Sequence, residues 1–564
     1  MAKQRQELNN LPPVVTDYIK LVINKMRYRR KVRQEVKAEL AGHFADALKD
    51  YRTDEERQAK AEQFIDEFGD AKLLALLIRR GKKRCRPLWK KVVIHSLQVA
   101  GILIVCVVLR GIQLSVGTPD ITVDYVVWLN ELTSEGRDES QNAKPYFDRA
   151  LELSKDLPDD MRDFLSKSPE EMSEEQGAAI ARFLEEDAES LDMVREGARK
   201  PYYWTDYEKS APSRDTTKEF KGLAVTSNMI QGLVGEIMPS LSKYKEFARR
   251  LDSVIALRTY NDDFEGALDD CLVLERFGNH LSGKGLLIEQ LVGIAIEAMA
   301  MDRTLEVVDK LDVDADALQN VQEELDMIYA KQGPIVNLDG EKAFWYDCVQ
   351  QTFTDDGEGN GRMLIRGLPL TVGNWKEAVS GFVSGYPDRK EVISKIDRYF
   401  ESAANLSETI PWELRGKAGE GDKQNWAEIG TDSLMLSMLG PAHGKVGELS
   451  WRLRQEQVAL ITVLGVLRYK EYIGRYPTGL DELVGAGYIS QLPRDFYSDG
   501  PMGYKITDDG FMLYSVGFNF EDDGGKMGTN PFNGKPRKWA DEGDAVFWPI
   551  MTLAELDKKE SHDD

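Results

Sequence analysis

Charge disappears from the chain between Val92 and Leu109, where eighteen residues are apolar apart from His95, Ser96 and Gln98 in the first turns. An uncharged helix of about 18 to 20 residues reaches across the hydrocarbon core of a bilayer. The flanks differ sharply. Arg79, Arg80, Lys82, Lys83, Arg84, Arg86, Lys90 and Lys91 precede the stretch. After Arg110 the next basic residue is Arg137, and Asp120, Asp124, Glu131 and Glu135 come first. Lys and Arg concentrate on the cytoplasmic side of a span. The pattern therefore predicts residues 1–91 inside, one span over 92–114 and the bulk of the chain outside. So long a basic leader also excludes a cleavable signal peptide.

Elsewhere the periodicity is mostly helical. Val32, Val36, Leu40, Phe44 and Leu48 recur at about four-residue spacing, which makes one apolar helix face. Ala61, Phe64, Ile65 and Phe68 make a second, closed by Gly69, and the run Leu73, Leu74, Leu76, Leu77 a third. Three short helices are expected here. Between 115 and 444 the stripes Tyr146, Phe147, Ala150, Leu151 and Leu251, Val254, Ile255 continue the helical pattern. Phe264, Ala267, Leu268 and Cys271 then predict a second helix antiparallel to the preceding one, beyond an Asn261-Asp262-Asp263 turn. Such pairs suggest a repeat-like helical region of irregular period. Asp355 to Gly361 has too many glycines for a regular element and reads as a flexible acidic loop. The apolar stretch Leu364 to Val383 is broken by Pro369, Gly373 and charges, too interrupted for a second span.

From about Lys445 a long helix runs to Tyr472, after which the character changes. Gly474 and Pro477 open a region rich in turns and aromatics, with strand candidates at Gly503 to Ile506 and Phe511 to Val516. The fold class expected is thus mainly α, in four parts: a three-helix domain with its basic segment (1–91), a span (92–114), a large helical exterior domain (115–444) and an α+β head (445–564).

Composition narrows the function classes. With 96 acidic against 73 basic residues the net charge is -23, which excludes a nucleic-acid partner for want of a basic surface. Membrane lipids with anionic headgroups are the expected partner of the one basic cluster. Four cysteines include no CxxC pair; Cys271 and Cys348 both fall outside the membrane, where they could form a disulfide. HExxH, a P-loop ending in GKS or GKT, and GxSxG are all missing from the sequence, and the histidines are scattered at 43, 95, 280, 443 and 562. Asp312, Asp314, Asp316 and Glu323 match EF-hand ligand positions, but Ala317 stands where the sharp turn calls for glycine. A helix N-terminus is the better reading of that acidic cluster.

Two resemblances complete the picture. The basic residues followed by Glu39-Leu40, His43, Asp46 and Phe68-Gly69-Asp70 resemble the small helical domains that precede membrane spans in bacterial signalling and permease-associated proteins. That resemblance implies a regulatory or protein-binding module. Gly474-Arg475-Tyr476-Pro477, Leu480-Asp481-Glu482-Leu483, Leu492-Pro493-Arg494-Asp495, Tyr514-Ser515-Val516-Gly517 and Asp522-Asp523-Gly524-Gly525, with Asp544 later, are similar to the globular head of the major pseudopilins of type II secretion. In that family a calcium ion ties down the loop between the last strands. The resemblance implies Asp522, Asp523 and Asp544 as ligands here, with Asn519 where the family often has Asp. A solvated acidic turn is the alternative. The chain departs from the family in lacking an apolar N-terminal fibre helix next to the head: Arg452, Arg454, Gln455 and Glu456 interrupt the preceding helix. Assembly into a pilus is not expected.

The expectation is a single-pass protein of a bacterial inner membrane, its bulk periplasmic, working without catalysis as an envelope scaffold with a protein partner. Transmembrane signalling is the alternative, and an exterior hydrolase the third reading.

Overall fold

A computed structural model describes residues 11–84, 88–162, 164–165, 167, 169–207, 235–310, 315–330, 335–364, 387–415 and 440–550. The chain divides into two compact units, Met1–Arg110 and Gly111–Asp564.

Among the described residues the first unit contains four helices ahead of the apolar one, where three were expected: α1 (Pro13–Lys25), α2 (Arg30–Ala47), α3 (Asp54–Phe68) and α4 (Ala71–Arg84). The addition is α1, whose Val15, Tyr18, Ile19 and Val22 form a buried stripe that begins right after Pro12-Pro13. These side chains pack with Val36, Leu40 and Phe44 of α2 and Ala61 of α3. Thr53 caps α3 by accepting from the Glu56 amide, and Gly69, at φ +75°, ends it. Only a residue without Cβ enters that conformation cheaply. His43 lies exposed on α2. In α4, Ala75 turns inward while Leu73, Leu76 and Leu77 stay exposed. Next comes α5 (Leu88–Ser115), in which Val92–Ser115, with a mean hydropathy of 2.6 and no buried residues across its apolar window, is long and apolar enough to cross a membrane.

In the second unit, α6 (Tyr125–Ser134), α7 (Lys144–Leu153), α8 (Glu174–Glu186) and α9 (Ala188–Ala198) lead into α10 (Gly235–Tyr260), α11 (Phe264–Leu281) and α12 (Leu287–Lys310). The turn between α10 and α11 falls where the sequence placed it, with Asp262 at φ +62° and Asp263 accepting from the Gly266 amide. Helices α11 and α12 meet backbone to backbone. A Cβ on Gly278 would stand 2.7 Å from the Glu297 amide nitrogen, and one on Gly293 2.6 Å from the Gly278 carbonyl. Then follow α13 (Ala315–Tyr329), α14 (Asp339–Thr352), α15 (Arg389–Glu408), α16 (Pro411–Leu414), α17 (Gly440–Ile473) and α18 (Leu480–Gly485). Helix α13 is described from Ala315 and runs through Ala317, where an EF-hand loop would turn sharply; Asp312 and Asp314 lie outside the described residues. Strands β1 (Gly503–Thr507), β2 (Gly510–Ser515) and β3 (Ala545–Trp548) form one antiparallel sheet in that order.

Three expectations change. The boundary at 444/445 does not separate two cores: Leu453, Leu460, Val463 and Leu464 of α17 join one buried cluster with Leu274 and Val308 on one side and Phe511, Leu513 and Phe547 on the other. The polar residues that interrupt α17 hold the head to it. Gln455 is buried, donating to the Arg494 carbonyl and accepting from the Phe496 amide, and the Trp539 indole donates to Glu456. The acidic loop after Asp355 is organised by its own side chains rather than loose. Asp355 accepts from the amides of Gly357 and Gly359 and pairs with Arg389 at 2.6 Å, the usual role of Asp in turns. Finally, Cys271 and Cys348 are both buried free thiols, so that pair forms no disulfide. Most of the interrupted apolar stretch, 365–386, lies outside the described residues.

Leu114, in the last turn of α5, is buried in a smaller cluster with Trp345, Val349, Phe353, Ile396 and Tyr399.

Candidate functional site

A cavity of about 470 Å³ opens in the second unit between the start of α7, the segment 203–207, the first described turn of α10 and the N-terminus of α12. Two asparagines fix its walls. Asn130 grips Tyr207 on both backbone sides, accepting from its amide at 2.8 Å and donating to its carbonyl at 3.0 Å. Asn142 is buried; its side-chain oxygen accepts from the amides of Lys144 and Trp204, which ties the start of α7 to the 203–207 segment. Behind this wall Phe147 packs edge-on to Tyr244 and Phe277 and tilted against Tyr203. Gly197 leaves room for it: a Cβ there would come within 2.5 Å of the Phe147 ring.

The polar centre of the cavity is Glu289, which is 3% exposed. Its position is set by helix capping. It stands in the first turn of α12 and accepts from the Leu286 amide at 2.9 Å, where the helix dipole favours a carboxylate. The same oxygen accepts from the Tyr207 hydroxyl at 2.5 Å. Burial nevertheless raises the Glu289 carboxyl above its ordinary range, against the lowering effect of these donors and of the Lys144 charge. Tyr203 donates to or accepts from Thr205 at 2.9 Å. The Tyr244 hydroxyl lies near Tyr203 but is buried without a hydrogen bond of acceptable geometry. Burial holds Tyr203, Tyr207 and Tyr244 above the ordinary tyrosine range, so all three stay neutral.

Charge around the cavity is one-sided. Among the described residues Glu139, Asp148, Asp206 and Glu289 line it against one cation, Lys144, which is tied to Asp148. His280 does not line it; its Nε2 faces the Ala198 carbonyl at 3.3 Å, behind the aromatic wall. The His443 side chain lies outside the described residues.

The four residues singled out for calcium do come together in one loop of the head. Asp544 is completely buried and receives the Asp523 amide on one oxygen and the Gly525 amide on the other. Asp522 accepts from the Tyr514 hydroxyl and the Gly524 amide. Asn519 turns its amide nitrogen, a donor, toward Asp523 at 2.7 Å. Calcium takes six to eight oxygen ligands. Asp544 and one oxygen each of Asp522 and Asp523 already accept hydrogen bonds within the loop, and among the described residues no group of three or more His, Cys, Asp or Glu is placed to hold a metal.

Comparison with protein-family models, curated proteins and solved structures finds no match to this chain. The cavity residues did not stand out in the sequence, although two signals were present. Tyr202-Tyr203-Trp204-Thr205-Asp206-Tyr207 is dense in aromatics, and Glu289 and Gln290 interrupt an otherwise apolar run from Leu286 to Val292.

Proposed function

We propose that the chain is a membrane-anchored, non-enzymatic binding protein of a bacterial envelope, whose helical second unit takes a ligand in the Tyr203–Glu289 cavity. The observation that carries this reading is the cavity itself. Its volume falls within the roughly 300–1,000 Å³ of ligand pockets, and its acid is buried with aromatic side chains around it. Neither histidine nor cysteine is among its described lining residues, and the lone serine, Ser240, has no histidine beside it in that lining. This favours recognition over catalysis.

Anchoring is supported by α5 and by α4 before it. Exposed Leu73, Leu76 and Leu77 share one helix face, and the helix carries six basic residues, Lys72, Arg79, Arg80, Lys82, Lys83 and Arg84. Such a helix suits the surface of an anionic bilayer. In this reading the first unit is cytoplasmic and the second periplasmic. A reporter fused at the C-terminus then works only outside the cytoplasm; cytoplasmic activity contradicts the orientation. A photo-crosslinking amino acid at exposed Asp206, on the cavity lining, is expected to capture a discrete adduct in intact membranes. Labelling no stronger than at a remote exposed position would count against a binding role.

A second reading, transmembrane signalling, has in its favour that α5 runs unbroken to Ser115, with Leu114 of its last turn buried in the smaller cluster of the second unit.

A further inference from the structure

We propose that the cavity binds a small organic cation carrying a primary ammonium group. The inference rests on the binding role given to the cavity above and assigns the chemistry of its ligand.

Charge selects the sign. Among the described lining residues four carboxylates face one ammonium, and that ammonium is engaged by Asp148, so this lining carries a negative excess. A cleft lined by one sign of charge with low-dielectric walls concentrates ions of the other. An anionic ligand would face net repulsion from these lining residues.

Glu289 selects depth. A buried carboxylate costs free energy unless a cation or a full set of donors offsets it. Tyr207 and Leu286 supply donors to one oxygen, yet no salt bridge to Glu289 is found among the described residues. Three other buried acids of this unit each pair with an arginine: Asp187 with Arg250, Asp252 with Arg303, and Asp270 with Arg195. Glu289 borders a cavity where these three have an arginine.

The tyrosines select the ligand's form. Ring faces attract a cation, and phenolic oxygens accept hydrogen bonds. An alkylammonium carries three N–H donors: one for the Glu289 carboxylate, others for oxygens such as the Tyr244 hydroxyl, which lies near Tyr203 and has no hydrogen bond of acceptable geometry among the described residues. A bare metal ion is the poorer candidate, because no group of three metal-ligating acidic, histidine or cysteine side chains is found among the described residues.

The test is calorimetric titration of the full-length protein in lipid nanodiscs with putrescine, tetramethylammonium, n-butanol and glutarate. Putrescine is expected to bind saturably and better than tetramethylammonium, which has no N–H, while butanol and glutarate do not bind. Glu289→Gln keeps the side-chain size and is expected to weaken putrescine at least about tenfold. Tyr244→Phe, which deletes one hydroxyl, is expected to weaken it by a smaller factor while leaving the melting temperature near that of the wild type. Equal putrescine affinity in wild type and Glu289→Gln overturns the proposal. Saturable, Glu289-dependent binding of butanol or glutarate instead overturns the cation assignment but keeps the binding role. No saturable binding of any probe through millimolar concentrations overturns both.

Discussion

Two buried acids in the second unit, Asp544 in the head and Glu289 in the helical region, are solved by the fold in opposite ways. Asp544 sits inside a turn that supplies an amide to each of its oxygens. Glu289 keeps donors on one oxygen and borders about 470 Å³ of space lined by three more carboxylates. The first is an anchor for the backbone. The second has unused acceptor capacity next to room for a partner. An acidic, glycine-bearing motif is therefore a poor guide to a binding site when the loop itself consumes the acid's lone pairs.

The comparison can be broken most severely at a buried acid that has a cation of its own. Arg250→Met leaves Asp187 buried without its partner, both side chains being fully inaccessible. A loss of about 3–5 kcal/mol is expected, read as a lower urea midpoint. A change below about 1 kcal/mol would mean that buried acids here need no partner, and the argument from Glu289 would weaken.

Asp544→Ala comes next. It strands the amides of Asp523 and Gly525, with an expected loss of about 2–4 kcal/mol. Glu289→Gln is expected to cost less, because the amide oxygen still accepts from Tyr207 and Leu286. If the two variants are equally damaging, Glu289 is as structural as Asp544.

A third arrangement sharpens the contrast by pH. Glu275 and Glu297 are both buried between α11 and α12, with Tyr329, Glu456, Ser282 and Gln457 around them. Burial, and then the charge of Glu297, raise the Glu275 carboxyl well above the ordinary range. The folded protein then holds a proton that the unfolded chain has released. Stability accordingly falls as pH rises from the ordinary glutamate range through the raised folded value, and the cost is absent below that window. Glu275→Gln should flatten this slope in urea titrations from acid to neutral pH. An unchanged slope would place the titration elsewhere.

The smallest expected effect concerns calcium. The melting temperature of the full chain should be the same in millimolar calcium and in chelator, since Asp544 and Asp522 already hold donors. A rise of several degrees with calcium, lost in Asp522→Asn, would restore the metal site that the pseudopilin-like sequence suggests.

How much of this was legible follows from range. The apolar stretch from Val92, the turn at Asn261 to Asp263 and the first two strands are local signals, and α5, the α10–α11 turn, β1 and β2 appear where those signals lie. Helix α1 was readable too, since Val15, Tyr18, Ile19 and Val22 keep a helical spacing. The joint core of helices and head was not, because whether Gln455 and Glu456 face water or Phe496 and Trp539 depends on chain 40 to 80 residues away. Tyr207 and Glu289 are 82 positions apart, and only the packing of α12 against the 203–207 segment brings them together. Spacing cannot report such a pair.

The account turns on what occupies the space beside Glu289, and the position of a bound cation can be observed directly. Crystals soaked with 3-bromobenzylammonium, whose bromine scatters anomalously, should show one bromine peak inside the cavity with the ammonium nitrogen within hydrogen-bond distance of the Glu289 carboxylate, and none in crystals of Glu289→Gln. An empty cavity at saturating ligand, or the same peak in the variant, would contradict it.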